Sequence, residues 1–163
     1  MKYSCDMMAN VIRKMAYPHD EKPMEFLASV IDGSVAVTEL PEFLNGLTEI
    51  RDYAFYRSEN LALTSLPDSI TSIGEYAFGL CNSLTSITLP KSLTSVDNYA
   101  FSSCGNLTTV TFKGKPTSIG TYAFSNCKKL TTINVPWKDG EVYGDYCSWG
   151  ATNATINYEY TGE

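Results

Sequence analysis

A motif that returns every 23 residues constrains the fold of this chain more than any other feature. Each copy opens on Thr-Glu-Ile or on Thr-Ser followed by Ile or Val, and it continues to Tyr-Ala-Phe. The copies open at Thr48, Thr71, Thr94 and Thr117. A fixed period of this length predicts a solenoid in which each repeat forms one coil. One coil buries too little apolar surface to offset the ordering of its backbone, so only a stack of coils is stable.

The first half of each regular coil has the pattern of a strand. Residues 84–89 alternate at their centre, so that Ile87 and Leu89 face the core while their neighbours face outward. The equivalent segments are 107–112 and 130–135. We therefore predict that these segments lie side by side in a parallel sheet.

The second half of the coil brings the chain back. Residues 93–96 return along the other side of the solenoid. Ala100, Phe101 and Cys104 then follow with a spacing that predicts a single helical turn facing the core. The predicted fold class is an α/β solenoid with strands on one side and short helical turns on the other.

The earlier strands leave an alternative open. Thr38 and Thr64 occupy the place that Ile87 fills later, and Val37 and Leu63 take an outward place. A one-residue bulge would return Val37 and Leu63 to the core, whereas a regular strand would leave them as an apolar patch. We favour the bulge.

Residues 1–33 do not fit the repeat. Their apolar spacing predicts two short helices, which would cap the open end of the solenoid. The predicted organisation is a helical cap over 1–33, repeats over 34–139 and a capping loop and strand over 140–163, all in one structural domain.

The sequence pattern predicts that the repeat dissolves after Val135. Residues 154–160 alternate again, and we predict a last strand there that pairs with 130–135. Trp137 and Trp149 are predicted to cover the open end.

Charge and hydropathy exclude several classes of protein. The formal net charge of −6, from 18 acidic and 12 basic residues, argues against a nucleic-acid binder. No apolar run is long enough for a transmembrane helix, and we expect no membrane insertion. Residues 1–17 lack the apolar region of a secretory signal. We expect a protein that stays inside the cell, leaves it by lysis or has lost a leader.

The five cysteines do not form the close pairs of a disulfide framework or a zinc knuckle. Cys81, Cys104 and Cys127 share one phase of the repeat, which predicts a column of thiols. Parallel side chains in such a column suit a disulfide poorly. We predict buried apolar fillers rather than redox or metal chemistry, with no cofactor and no metal.

The pattern Leu84-x-x-Ile87-x-Leu89-Pro90-x-x-Leu93-x-x-Val96-x-x-x-Ala100-Phe101-x-x-Cys104 resembles the bacterial surface-antigen (BspA-type) leucine-rich repeat. The resemblance covers residues 35–139, although Ser58 stands where the later copies have cysteine. It implies a right-handed solenoid with a parallel sheet on the concave side. Members of this family are mostly non-enzymatic surface, adhesion or host-interaction proteins. The tail 149–158 is similar to endings of repeat proteins from gut-bacterial prophages.

Outward strand positions form the candidate ligand-binding site. Two columns of small polar side chains are predicted on the concave face: Ser86, Thr88, Thr109, Thr111, Thr132 and Asn134. The alternative is that these residue types simply suit any strand. A separate column contains Tyr53, Tyr76, Tyr99 and Tyr122, for which we favour half-buried stacking over a sugar platform. Asp139, Glu141 and Asp145 could hold calcium, but their spacing fits no EF-hand, and we favour a solvated loop.

The sequence favours a non-enzymatic recognition or adhesion module that is a monomer and binds a protein or glycan partner. No catalytic motif occurs, and the one histidine is His19. A phage or prophage structural protein is the alternative, and an enzyme would need a pocket that joins His19 to a nucleophile. The family resemblance implies a location at the cell surface, whereas the phage hypothesis places the protein in the cytoplasm or in the phage particle.

Overall fold

The computed structural model describes residues 46–141 and 149–162. Its eight short strands form two four-stranded parallel sheets. The strands are β1 Glu49–Ile50, β2 Ser72–Ile73, β3 Ser86–Leu89, β4 Ser95–Val96, β5 Thr109–Phe112, β6 Ser118–Ile119, β7 Thr132–Asn134 and β8 Thr155–Asn157. We call the sheet with the order β3-β5-β7-β8 the long-strand sheet and the sheet with the order β1-β2-β4-β6 the short-strand sheet.

Successive coils lie directly on one another, as the period predicts. In the long-strand sheet Ser86 pairs with Thr109, Thr109 with Thr132, and Thr132 with Thr155. The short-strand sheet keeps the same step, for example from Ser72 to Ser95. The expected parallel β-solenoid is therefore confirmed.

Columns of like side chains form the hydrophobic core of the solenoid. The rings of Phe55, Phe78, Phe101 and Phe124 are buried and nearly parallel, with neighbouring centroids 5.2, 5.0 and 5.5 Å apart. Inward strand residues such as Ile87 add further buried columns. Each coil thus completes its core with the side chains of its neighbours, which explains why the coils are stable only together.

The predicted helical turn after each short strand is wrong: no α-helix lies in residues 46–141 or 149–162. Tyr99 and Ser103 have positive φ values of 56° and 61°, which interrupt a helix. Alternate amides also leave the segment. Ser102 N donates to Tyr99 O at 2.9 Å, but Phe101 N donates to Ala123 O of the next coil at 2.8 Å. An α-helix would keep all of these hydrogen bonds within its own segment, whereas these turns use half of them to join coils.

The burial of Leu63 distinguishes between the two alternatives for the earlier strands. Its side chain is fully buried, while that of Thr64 is exposed. Leu63 therefore belongs to the core, as the bulge alternative requires. This coil forms an isolated bridge between Ser65 and Thr88 in place of a strand. Val37 and the predicted cap over 1–33 lie outside the described residues.

The C-terminal strand keeps the repeat, contrary to the prediction that the repeat dissolves after Val135. β8 pairs in parallel with β7, as predicted, and it does so at the same 23-residue step as the strands before it, from Thr132 to Thr155. Trp149 is buried and its carbonyl accepts the amide of Phe124 at 2.8 Å. Trp137 is also buried, with its ring 5.4 Å from that of Phe112. Both tryptophans therefore cover the last coils.

Candidate interaction surface

The outward side chains of the long-strand sheet lie in two rows, which we call row A and row B. Alternation within each strand sends Ile87, Val110 and Ile133 into the core and sends their neighbours outward. Parallel register then aligns equivalent side chains about 4.8 Å apart. Row A contains Ser86, Thr109, Thr132 and Thr155, and row B contains Thr88, Thr111, Asn134 and Asn157.

Row B is linked by hydrogen bonds between its own side chains. The Asn134 amide donates to Thr111 Oγ1 at 3.1 Å, and the Asn157 amide donates to Asn134 Oδ1 at 2.8 Å. Asn134 is only 7% exposed. Its polar atoms therefore join three coils, which leaves it little capacity for a ligand.

Row A differs because its hydroxyls make no hydrogen bond to any other described residue. In the part of the chain that the structure describes, the hydroxyls of Ser86, Thr109 and Thr132 make no hydrogen bond, and their residues are half-buried. Each of these hydroxyls can donate one hydrogen bond and accept others. Row A is therefore the row with unused polar capacity.

Exposure alone does not identify such free hydroxyls. Thr71, Thr94 and Thr117 are exposed, yet each hydroxyl donates to the backbone carbonyl of the threonine one coil earlier at 2.8–2.9 Å. These hydroxyls join coils along the edge of the short-strand sheet. The threonines of this solenoid thus divide into those that join coils and those that face solvent unpaired.

The column of thiols is buried and free of disulfides. Cys81, Cys104 and Cys127 are more than apolar fillers, because each sulfur donates to a phenylalanine carbonyl of the preceding coil at 3.0–3.1 Å. Burial raises the pKa of Cys81 to about 12, which keeps its thiol protonated at neutral pH. No group of three or more His, Cys, Asp or Glu side chains suited to a metal occurs in 46–141 and 149–162.

The tyrosine column is stacked and mostly half-buried, as predicted. Ring centroids of Tyr53 and Tyr76, of Tyr76 and Tyr99, and of Tyr99 and Tyr122 are 5.3, 4.9 and 5.4 Å apart. Three of the four tyrosines are half-buried, and Tyr122 is 47% exposed. The column is therefore structural over most of its length, and it ends on an exposed ring.

One member of the acidic C-terminal group already has partners. Glu141 lies 3.5 Å from Lys115 Nζ and accepts the backbone amide of Lys138 at 3.1 Å. These two neighbours, the amide first, lower the pKa of the Glu141 carboxyl. Asp145 and His19 lie outside the described residues.

Sequence reasoning missed the last members of both rows. Thr155 and Asn157 continue rows A and B on β8, and Asn157 extends the linked amides of row B. The signal was present in the sequence, because Thr155 and Asn157 lie 23 residues after Thr132 and Asn134.

Two parallel sheets in 23-residue register, joined by tight turns, define a leucine-rich-repeat solenoid. The sequence over residues 41–157 matches the BspA type leucine rich repeat region in six copies. The chain therefore belongs to the BspA-type leucine-rich repeat family. Members of this family are typically surface-associated, and the repeat is generally a non-enzymatic scaffold for interactions.

Solved structures agree with this assignment. A leucine-rich repeat protein of Bacteroides ovatus is 27% identical, with a TM-score of 0.60, over 68% of this chain and 28% of that protein. A leucine rich cell surface protein of Faecalibacterium prausnitzii is 39% identical, with a TM-score of 0.54, over 60% of this chain and 25% of that protein. The T. pallidum leucine rich repeat protein is 28% identical, with a TM-score of 0.53, over 77% and 70% of the two chains.

This chain thus spans about a quarter of the length of the Bacteroides and Faecalibacterium proteins. No curated protein matches it. None of these comparisons supports the phage or prophage alternative. Among the described residues, no helix has the length and hydropathy to cross a membrane.

Proposed function

We propose that this protein is a non-enzymatic recognition module that binds a protein or glycan partner through row A of the long-strand sheet. The observation that carries the proposal is the row of aligned hydroxyls at Ser86, Thr109 and Thr132, which make no hydrogen bond within the described chain. A ligand that offers hydrogen-bonding groups at the spacing of the strands would pair with them without breaking any bond of the solenoid.

The size of the sheet limits what it can hold alone. Four strands at about 4.8 Å spacing and ~3.3 Å per residue give a face of roughly 250 Å². A standard protein interface buries about 800 Å² on each partner. A few sugar units would fit on the face itself, whereas a protein partner would also contact the neighbouring turns.

The cell surface is the place where such a module would work. This expectation follows the family, and the similar Faecalibacterium prausnitzii protein is described as a cell surface protein. Mucin glycans and extracellular matrix proteins are therefore the partners to screen first, with the full chain immobilised.

The test compares the two sheets. Arginine at Thr109 and Thr132 should weaken binding of a partner found in the screen at least tenfold, because its bulk and charge cover row A. Ser95 and Ser118 are outward serines of the short-strand sheet, and the double variant S95R/S118R is the matched control. Binding that survives T109R/T132R, or that both double variants weaken equally, would reject row A as the site. Thermal unfolding of both variants checks that each remains folded.

A further inference from the structure

In the described chain, the tyrosine column ends at Tyr122, whose ring is stacked on one face only. Tyr76 stacks between Tyr53 and Tyr99, and Tyr99 stacks between Tyr76 and Tyr122. In the described chain Tyr122 has an aromatic neighbour on one side only, and it is 47% exposed. The faces of the inner rings are covered by stacking, so a ligand that needs an aromatic face can use Tyr122 but not Tyr76 or Tyr99.

Tyr122 borders an open cleft of about 340 Å³. Pockets that hold small molecules have volumes of roughly 300–1,000 Å³. One wall is the turn 125–128 and the other is the segment 150–153. The polar side chains that line the cleft are Ser125, Asn126, Lys128, Thr152 and Asn153.

The cleft wall formed by residues 150–153 is held in place by close packing against the turn 125–128. The backbone of Gly150 lies against Ser125, where an added Cβ would stand 2.8 Å from Ser125 Cα, and its φ of +76° also favours glycine. The buried Trp149 precedes it and accepts the amide of Phe124 at 2.8 Å. The two walls therefore keep a defined separation, which a binding site requires.

Most polar groups that line the cleft are neutral amides and hydroxyls without a partner in the described chain. The side chains of Asn126, Thr152, Asn153 and Lys128 make no hydrogen bond within the described chain. Amides and hydroxyls donate and accept hydrogen bonds, which suits the paired hydroxyls of a sugar. Among the described residues that line the cleft, only Lys128 is charged. The face of an aromatic ring carries partial negative charge and attracts the weakly positive C–H groups of a pyranose.

We propose that this cleft binds a sugar unit of a glycan, stacked on Tyr122 and hydrogen-bonded by Asn126 and Asn153. Lys128 adds a preference for a sugar that carries a carboxylate. The site lies at Tyr122 and on the segments 125–128 and 150–153, and it contains no residue of row A, so this proposal does not depend on the proposed function of the sheet.

Titration of the isotope-labelled full chain with methyl glycosides, followed by NMR, tests the proposal. The probes are methyl glycosides of glucose, galactose, mannose, N-acetylglucosamine, glucuronic acid and N-acetylneuraminic acid. We expect at least one acidic probe to shift the amides of 125–128 and 150–153. A panel in which no sugar shifts these amides, or in which the shifts fall on the long-strand sheet, would overturn the proposal.

Variants of Tyr122 separate stacking from folding. Y122A should weaken binding of the responding sugar at least tenfold, whereas Y122F keeps the ring and should stay within threefold. Tyr160 is the other exposed large hydrophobic residue of the described chain, at 37% exposure, and it lies outside the cleft. Y160A is therefore the control and should bind normally. Equal binding by Y122A and the unaltered protein would rule the site out.

The charge preference has its own readout. K128Q should lower the affinity for the acidic probe about three- to tenfold and leave a neutral sugar unchanged, because only the carboxylate pairs with the ammonium group. T109R/T132R should leave sugar binding in the cleft unchanged. Loss of cleft binding in that variant, or retention of the acidic preference in K128Q, would contradict the assignment.

Discussion

Row A and row B occupy the same sheet, alternate along the same strands and contain similar residues, yet their polar atoms differ in whether they form hydrogen bonds between coils. Row B joins coils through Thr111, Asn134 and Asn157, whereas the hydroxyls of row A join nothing in the described chain. The difference shows that one polar column of a solenoid can join its coils while the neighbouring column leaves its hydroxyls without a hydrogen bond in the described chain. Measurements of stability can separate these two roles before any ligand is known.

The largest effect should come from the core that supports both rows. F101A should lower the free energy of unfolding by about 3–5 kcal/mol, because it opens a cavity between the buried rings of Phe78 and Phe124. Chemical denaturation measures the change. F101L fills more of the space and should lose only about 1–2 kcal/mol. Similar losses in the two variants would show that filling the space in the phenylalanine column contributes little to the stability of the core.

A smaller effect should separate the rows on a single strand. N134V removes both hydrogen bonds that join three coils, and it should lower the unfolding free energy by about 1–2 kcal/mol. T132V lies two residues earlier in row A, and it should stay within about 0.5 kcal/mol of the unaltered protein. The comparison fails if denaturation shows equal changes in the two variants.

The smallest effect should distinguish two kinds of outward-facing threonine. T94V loses the hydrogen bond to the Thr71 carbonyl, and we expect a loss of about 0.5–1.5 kcal/mol. T109V loses no hydrogen bond within the described chain, and its β-branched side chain still suits a strand, so its stability should be nearly unchanged. Differential scanning calorimetry of the two variants provides the measurement, and a greater loss in T109V would contradict the division.

Much of the fold could be predicted from the period alone. Equal spacing requires like residues to stack, and this predicted the register of Ser86 with Thr109 and the column of phenylalanines. The turns could not be predicted in the same way. Ala100, Phe101 and Cys104 have the spacing of a helix, but positive φ at Tyr99 and hydrogen bonds to the next coil produce tight turns instead. Those bonds exist only once a second coil is in place.

The candidate site, like the fold, could be predicted from the sequence only in part. The amino-acid sequence by itself determined that the chain would form a parallel solenoid with polar residues outward, because a 23-residue period and alternation leave few other ways to bury the apolar positions. Tertiary structure alone decided which of those polar groups are free. Residue type does not distinguish Thr94 from Thr109. The hydroxyl of Thr94 donates to the Thr71 carbonyl of the adjacent coil, whereas the hydroxyl of Thr109 makes no hydrogen bond within the described chain.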